Sequence, residues 1–150
     1  MAKWQVALAS GLVGSSVLTL VHETARHLIP NAPRVDVIGM RAIARPMREV
    51  GAEPPPRDAL FYLTMAGDLA GNALYYSLVG LGDTPRVWLR GSLLGLAAGL
   101  GAAFLPPVLG LGQQPGARYP ATQAMTVAWY SLGGLAAAAA FQALSEKESL

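Results

Sequence analysis

The sequence predicts an all-α integral membrane protein, a bundle of four transmembrane helices with an Arg-rich amphipathic segment lying in the interface between the first and second. Three observations carry that reading. Only 13% of the 150 residues are charged against 53% hydrophobic, and the mean hydropathy is +0.38, whereas ordinary soluble domains carry about 25% charged residues. Four windows, about 4–28, 59–81, 87–111 and 121–144, reach the roughly 18 mostly apolar residues needed to cross about 30 Å of hydrocarbon as helix. Only one connection, residues 30–58, is long. Residues 1–150 therefore read as a single four-helix domain.

Composition also narrows the chemistry. Cysteine is absent, which excludes disulfides, thiolate nucleophiles and thiolate metal sites. The net charge of +2 and pI of 9.2 do not point to nucleic acid, because the arginines gather beside a hydrophobic span, where lipid phosphates are the nearer anions. An A-x-A triplet, Ala7-Leu8-Ala9, comes too early to follow a signal-peptide core, and the apolar run continues past it. The first helix is expected to be retained.

The first span opens at Trp4, an aromatic suited to the headgroup level. Its Ser10, Gly11, Gly14 and Ser15 form a small-residue strip of the kind that lets helices approach closely. It should end by Pro30, since Pro30 and Pro33 bias the preceding residues away from α geometry. From 34 to 50, Met40, Ile43, Met47 and Val50 recur at helical spacing with Arg41, Arg45 and Arg48 on another face. That pattern predicts a helix in the interface, interrupted or restarted at Pro46, with the arginines meeting anionic lipid headgroups. Pro54-Pro55-Pro56 is a stiff extended spacer, and Asp58 is the expected N-cap of the second span.

The second span holds a Gly67/Gly71 pair at GxxxG spacing, and Asp68 and Asn72 lie one turn apart on one face. In the third, Gly91, Gly95 and Gly99 form a packing seam, and Pro106-Pro107 should kink or end the helix. The fourth begins near Pro120, holds Gln123, Thr126, Tyr130 and Ser131, and gives way to a charged tail, Glu146-Lys147-Glu148.

The chemistry concentrates at the end of the first span, in Thr19-Leu-Val-His-Glu-Thr-Ala-Arg-His-Leu28. An ionisable group at membrane depth costs several kcal/mol unless paired or wet, so His22, Glu23 and Arg26 call for a reason, as does Asp68 in the second span. At about 1.5 Å per residue, His22 and Asp68 lie roughly 10 and 15 Å from helix ends on the same side of the membrane. Around the helix, Glu23 shares a face with His27, and His22 with Arg26.

Three readings follow. In the structural one, Asp68 pairs with Arg26 and the remaining groups reach to the interface. In the binding or transport reading, carried forward here, Glu23, Asp68 and Asn72 contact an ion or a small polar or lipid-like ligand while His22 and Arg26 adjust the charge. In the enzyme reading, Glu23 or His27 serves as base, or Glu23, His27 and Asp68 hold a divalent metal. The HExxH helix of zinc hydrolases is not reproduced, because His27 follows His22 at i+5, about 140° further round. No cofactor is firmly implied.

Lys3, Arg86, Arg90 and Lys147 fall on one side of the four spans, and Arg26, Arg34, Arg41, Arg45, Arg48, Arg57 and Arg118 on the other. The positive-inside rule then puts the 30–58 loop in the cytoplasm and both termini outside, as in a bacterial inner membrane. The glycine seam of the third span, lacking an evident partner, suggests a homodimer. A role as accessory subunit of a larger membrane complex is the remaining alternative.

Overall fold

The computed structural model describes residues 2–147, excluding the Lys147 side chain; Glu148, at the end of the charged tail, lies outside the described residues. The chain forms helices α1 (Lys3–Leu28), α2 (Val35–Glu49), α3 (Arg57–Ser77), α4 (Val87–Val108) and α5 (Pro120–Lys147), with 3-10 turns at Leu78–Gly80 and Thr84–Arg86. Among the described residues there is no strand. Three segments, Lys3–Leu28, Thr84–Val108 and Pro120–Glu146, are long and apolar enough to cross a membrane. The fourth window folds as α3, which starts two residues earlier than expected. Asp68, Asn72 and its tyrosines make it less apolar than the other three helices.

Helices α1, α3, α4 and α5 run alternately up and down, and α2 lies across the end where α1 finishes and α3 begins. Hydrogen bonds fix this register. Ser15 Oγ donates to Leu69 O at 2.7 Å between α1 and α3, and Thr122 Oγ1 donates to Asn31 O at 2.7 Å between α5 and the loop after α1. At the opposite end Lys3 Nζ donates to Gly82 O and Arg90 to the Val79 and Asp83 carbonyls.

The small residues act as the spacing suggests. Ser10, Gly11, Gly14 and Ser15 are all buried on α1. A Cβ on Gly14 would stand 2.5 Å from Gly133 O of α5, and one on Gly11 would collide with Ala73 O of α3. The Gly91, Gly95 and Gly99 seam is filled from within the chain: Cβ atoms there would stand 2.5 to 2.7 Å from Gly134, Ser131 and Val127 of α5. That seam therefore gives no ground for a homodimer. Tyr76, fully buried, wedges against Gly133 and donates its hydroxyl to Tyr130 O at 2.7 Å.

Three local expectations change. α2 is one continuous helix with Pro46 inside it, since a proline near the C-terminus removes one hydrogen bond and leaves the rest of the ladder. α4 likewise continues through Pro106 and Pro107 to Val108. Both helices end in the same way, with Gly51 and Gly110 at φ +77° and +73° and with Ala52 N bonded to Met47 O and Leu111 N to Pro106 O at 2.8 Å. This is the glycine-closed C-terminal turn that satisfies otherwise orphaned carbonyls. Pro56, not Asp58, is the N-cap of α3, and Asp58 sits in the first turn, where its charge complements the helix dipole.

If glycine contact holds the bundle together, Gly95→Leu should lower the melting temperature of the detergent-purified protein sharply. Overpacking of this kind costs about 1–3 kcal/mol. Gly71→Ala should be neutral or mildly stabilising, because nothing lies within 4 Å of its Cβ position. Equal losses in thermal unfolding would contradict this arrangement.

Candidate functional site

α1, α2 and α3 enclose a cavity of about 220 Å³. α1 contributes Thr19, His22, Glu23 and Arg26, α3 contributes Thr64, Met65, Gly67 and Asp68, and α2 with its leading turn closes it through Pro33, Val35, Asp36, Gly39 and Ile43. α2 can lie this close because residue 39 is glycine: a Cβ there would collide with the Thr64 methyl.

Four of the wall side chains, His22, Glu23, Arg26 and Asp36, are held by neighbours. His22, 5% exposed, stands edge-on to Trp129 and Tyr130 of α5, with ring centroids 5.2 and 5.6 Å away. Arg26 donates to Glu23 Oε2 at 2.7 and 2.8 Å and lies over the Phe61 ring at 5.2 Å. Arg34 grips Asp36 with two parallel bonds, Nε to Oδ1 at 2.8 Å and NH2 to Oδ2 at 2.7 Å. Arg34 is itself held by its backbone N–H donating to Gln114 Oε1 at 2.7 Å. Asn72 hydrogen-bonds the Asp68 carboxyl from the next turn of α3. Among the described residues Asp68 has no ion-pair partner, and the structural expectation of an Asp68–Arg26 pair is replaced by Glu23–Arg26 within α1.

Among the described residues, three buried polar atoms on these walls have no protein partner: Thr19 Oγ1, His22 Nε2 and Thr64 Oγ1. A buried polar group without a hydrogen bond costs about 1–3 kcal/mol. Whatever enters the cavity, water included, can satisfy these groups.

The sequence-derived ligand set therefore largely converges, with His22, Glu23, Arg26 and Asp68 on the wall and Asn72 behind Asp68. The proposed metal set does not. His27 is exposed and lies off the cavity wall, Glu23 turns to Arg26, and among the described residues no three His, Asp or Glu side chains gather as metal ligands. The i+4 spacing put Glu23 and His27 on one face, but Thr19, His22, Glu23 and Arg26 form the wall with Glu23 at its edge, and His27 turns about 40° further round the helix, away from it. Of the headgroup arginines, Arg41 NH1 donates to the Leu111 and Gln113 carbonyls, and Arg45 NH1 to those of Leu109 and Gly110, while Arg45 Nε pairs with Glu49 at 2.8 Å. Among the described residues, the Arg48 side chain alone of the three has no protein partner.

Sequence reasoning missed Asp36, Gly39, Thr19 and Thr64. Asp36 carried a signal, being the only acid between Arg34 and Arg48. The threonines carried none, since a lone hydroxyl in an apolar helix commonly bonds its own backbone. Comparison with known proteins finds no matching family model, curated protein or solved structure.

Burial raises the Asp36 carboxyl, but the two bonds and the charge of Arg34 outweigh it, so the group titrates below its ordinary value of 3.8. A depressed carboxyl contributes stability above its unfolded pKa and loses it as pH falls through the folded value. The wild-type melting temperature should therefore fall as pH drops below about 3.8. Asp36→Asn should cost about 1–3 kcal/mol near neutrality and flatten the acid limb, both readable in thermal melts between acid and neutral pH.

Proposed function

We propose that this chain is a membrane protein that binds a small cationic or hydrogen-bond-donating solute in the α1–α2–α3 cavity, in the service of transport or capture. The observation that carries the reading is the convergence of three unpartnered buried polar atoms, on Thr19, His22 and Thr64, with the unpaired carboxylate of Asp68. The two hydroxyls can each accept a hydrogen bond, and so can the His22 nitrogen in one tautomer. Glu23 is neutralised by Arg26 and Asp36 by Arg34, so Asp68 leaves the wall with an excess negative charge. A volume of about 220 Å³ is below the 300–1,000 Å³ of drug-sized pockets and suits a solute of a few heavy atoms or a hydrated ion.

The membrane arrangement belongs to the same proposal. α3 is the fourth span: it lies antiparallel between α1 and α4 in the chain's up-and-down order, and its Thr64 and Asp68 face the cavity. α2 then lies in the interface over the cavity mouth, on the cytoplasmic side of an inner membrane by the charge bias of the loops. A second copy or a larger partner would meet α3 at Gly71, which is exposed with open space where a Cβ would stand.

Purified protein in proteoliposomes should take up or retain a small cation, assayed with sodium and with methylammonium. Asp68→Asn should lower retention by about ten-fold or more, the equivalent of one charge-assisted hydrogen bond at about 1.5–3 kcal/mol. Thr64→Val should lower it less, and the melting temperatures of both variants should stay within a few degrees of wild type. Undiminished binding in Asp68→Asn would reject the site.

A further inference from the structure

A second concavity, of about 590 Å³, lies on the other side of α2, between that helix, the start of α3 and the end of α4. Four arginines line it, Arg41, Arg45, Arg48 and Arg57, against one acid, Glu49, which is already paired with Arg45. Its floor is apolar, formed by Met40, Leu60 and Leu111. We infer that this groove binds one anionic phospholipid, its phosphate on Arg48 and Arg57 and an acyl chain against Leu60 and Leu111.

The division of labour among the arginines supports this. Arg41 and Arg45 donate to the carbonyls that end α4, which fixes the far wall and keeps their positive charge in the groove. The side chains of Arg48 and Arg57 are exposed and, among the described residues, make neither a hydrogen bond nor an ion pair. A guanidinium presents paired N–H donors that match two phosphate oxygens. The rim argues for lipid over free phosphate. Val108 and Leu109 at the end of α4 are 79% and 64% exposed, and Val50 at the end of α2 is 81% exposed. Val108 and Leu109 stand at the end of a segment long and apolar enough to cross a membrane, and Val50 follows Arg48 by two residues. A soluble anion would use the charge and leave the apolar floor and rim in water, whereas a phospholipid covers both.

The inference does not depend on what fills the α1–α2–α3 cavity. Full-length protein in detergent would be mixed with equal amounts of phosphatidylglycerol and phosphatidylcholine and examined by native mass spectrometry. Phosphatidylglycerol should be retained preferentially. The Arg48→Gln/Arg57→Gln double variant should lose that preference by roughly twenty-fold, at about five-fold per arginine. Arg86→Gln, exposed at the opposite end, should leave it unchanged. Equal retention of the two lipids, full retention by the double variant, or displacement by millimolar inorganic phosphate would each overturn the proposal. A second measurement needs no variant: phosphatidylglycerol with a photoreactive acyl chain should cross-link wild-type protein at Met40, Leu60 and Leu111. Labelling spread evenly over the apolar helices would count against the groove.

Discussion

Two adjacent glycines on α5, Gly133 and Gly134, hold the bundle together. Gly133 meets α1 at Gly14 and receives the Tyr76 ring of α3, and Gly134 meets α4 at Gly91 and Gly95. Successive helix positions point about 100° apart, so neighbouring residues can serve helices on different sides. Lipid tails are as apolar as leucine, so apolarity alone gives little drive for helices to associate. Close backbone approach supplies dispersion contacts over the length of the seam, and it requires residues without a Cβ. The other helix placements follow from this crossing.

The cavity is one consequence. Trp129 and Tyr130 lie one turn before Gly133 on α5, and with that helix clamped against α1 they form the aromatic wall that fixes His22. On an adjoining face α1 packs against α3 through Gly11 and Ser15, and the two helices leave a space further along, at the level of Thr19 to Arg26 and Thr64 to Asp68. Charges in that space are tolerable because most are paired locally, Glu23 with Arg26 and Asp36 with Arg34. The remaining carboxylate and the three wall atoms without a protein partner among the described residues are what the cavity offers a solute, since a fully satisfied wall has nothing left to offer a ligand.

α2 has a different kind of attachment. It is the most polar of the helices and is held by side chains gripping backbone: Arg41 and Arg45 on the end of α4, and the Arg34 segment on Gln114. Prolines flank it on both sides and restrict its approach, and one of them, Pro33, is buried at the cavity wall. One helix therefore covers the polar cavity with one face and lines a basic groove with another, and the close fit of Gly39 on Thr64 sets its distance from the bundle.

The sequence alone determined the all-α class, the membrane-like composition, the main helices to within a few residues, and that Asp68 lies at a depth from which it could reach His22, Glu23 and Arg26. Those properties depend on periodicity, length and the cost of burying charge, all of which act locally along the chain. It misjudged Pro46 and the capping role of Asp58, where neighbouring residues supply what the local rule omits. Tertiary structure alone decided that the Gly91 series faces α5, that Arg26 takes Glu23 and not Asp68, that His27 stays outside, and that Asp36 and two threonines join the site. Pairings of that kind depend on which of several equivalent faces meets which neighbour. Residues 36 and 64 become cavity partners only after α2 folds back over α3, and nothing in either segment read separately specifies that meeting.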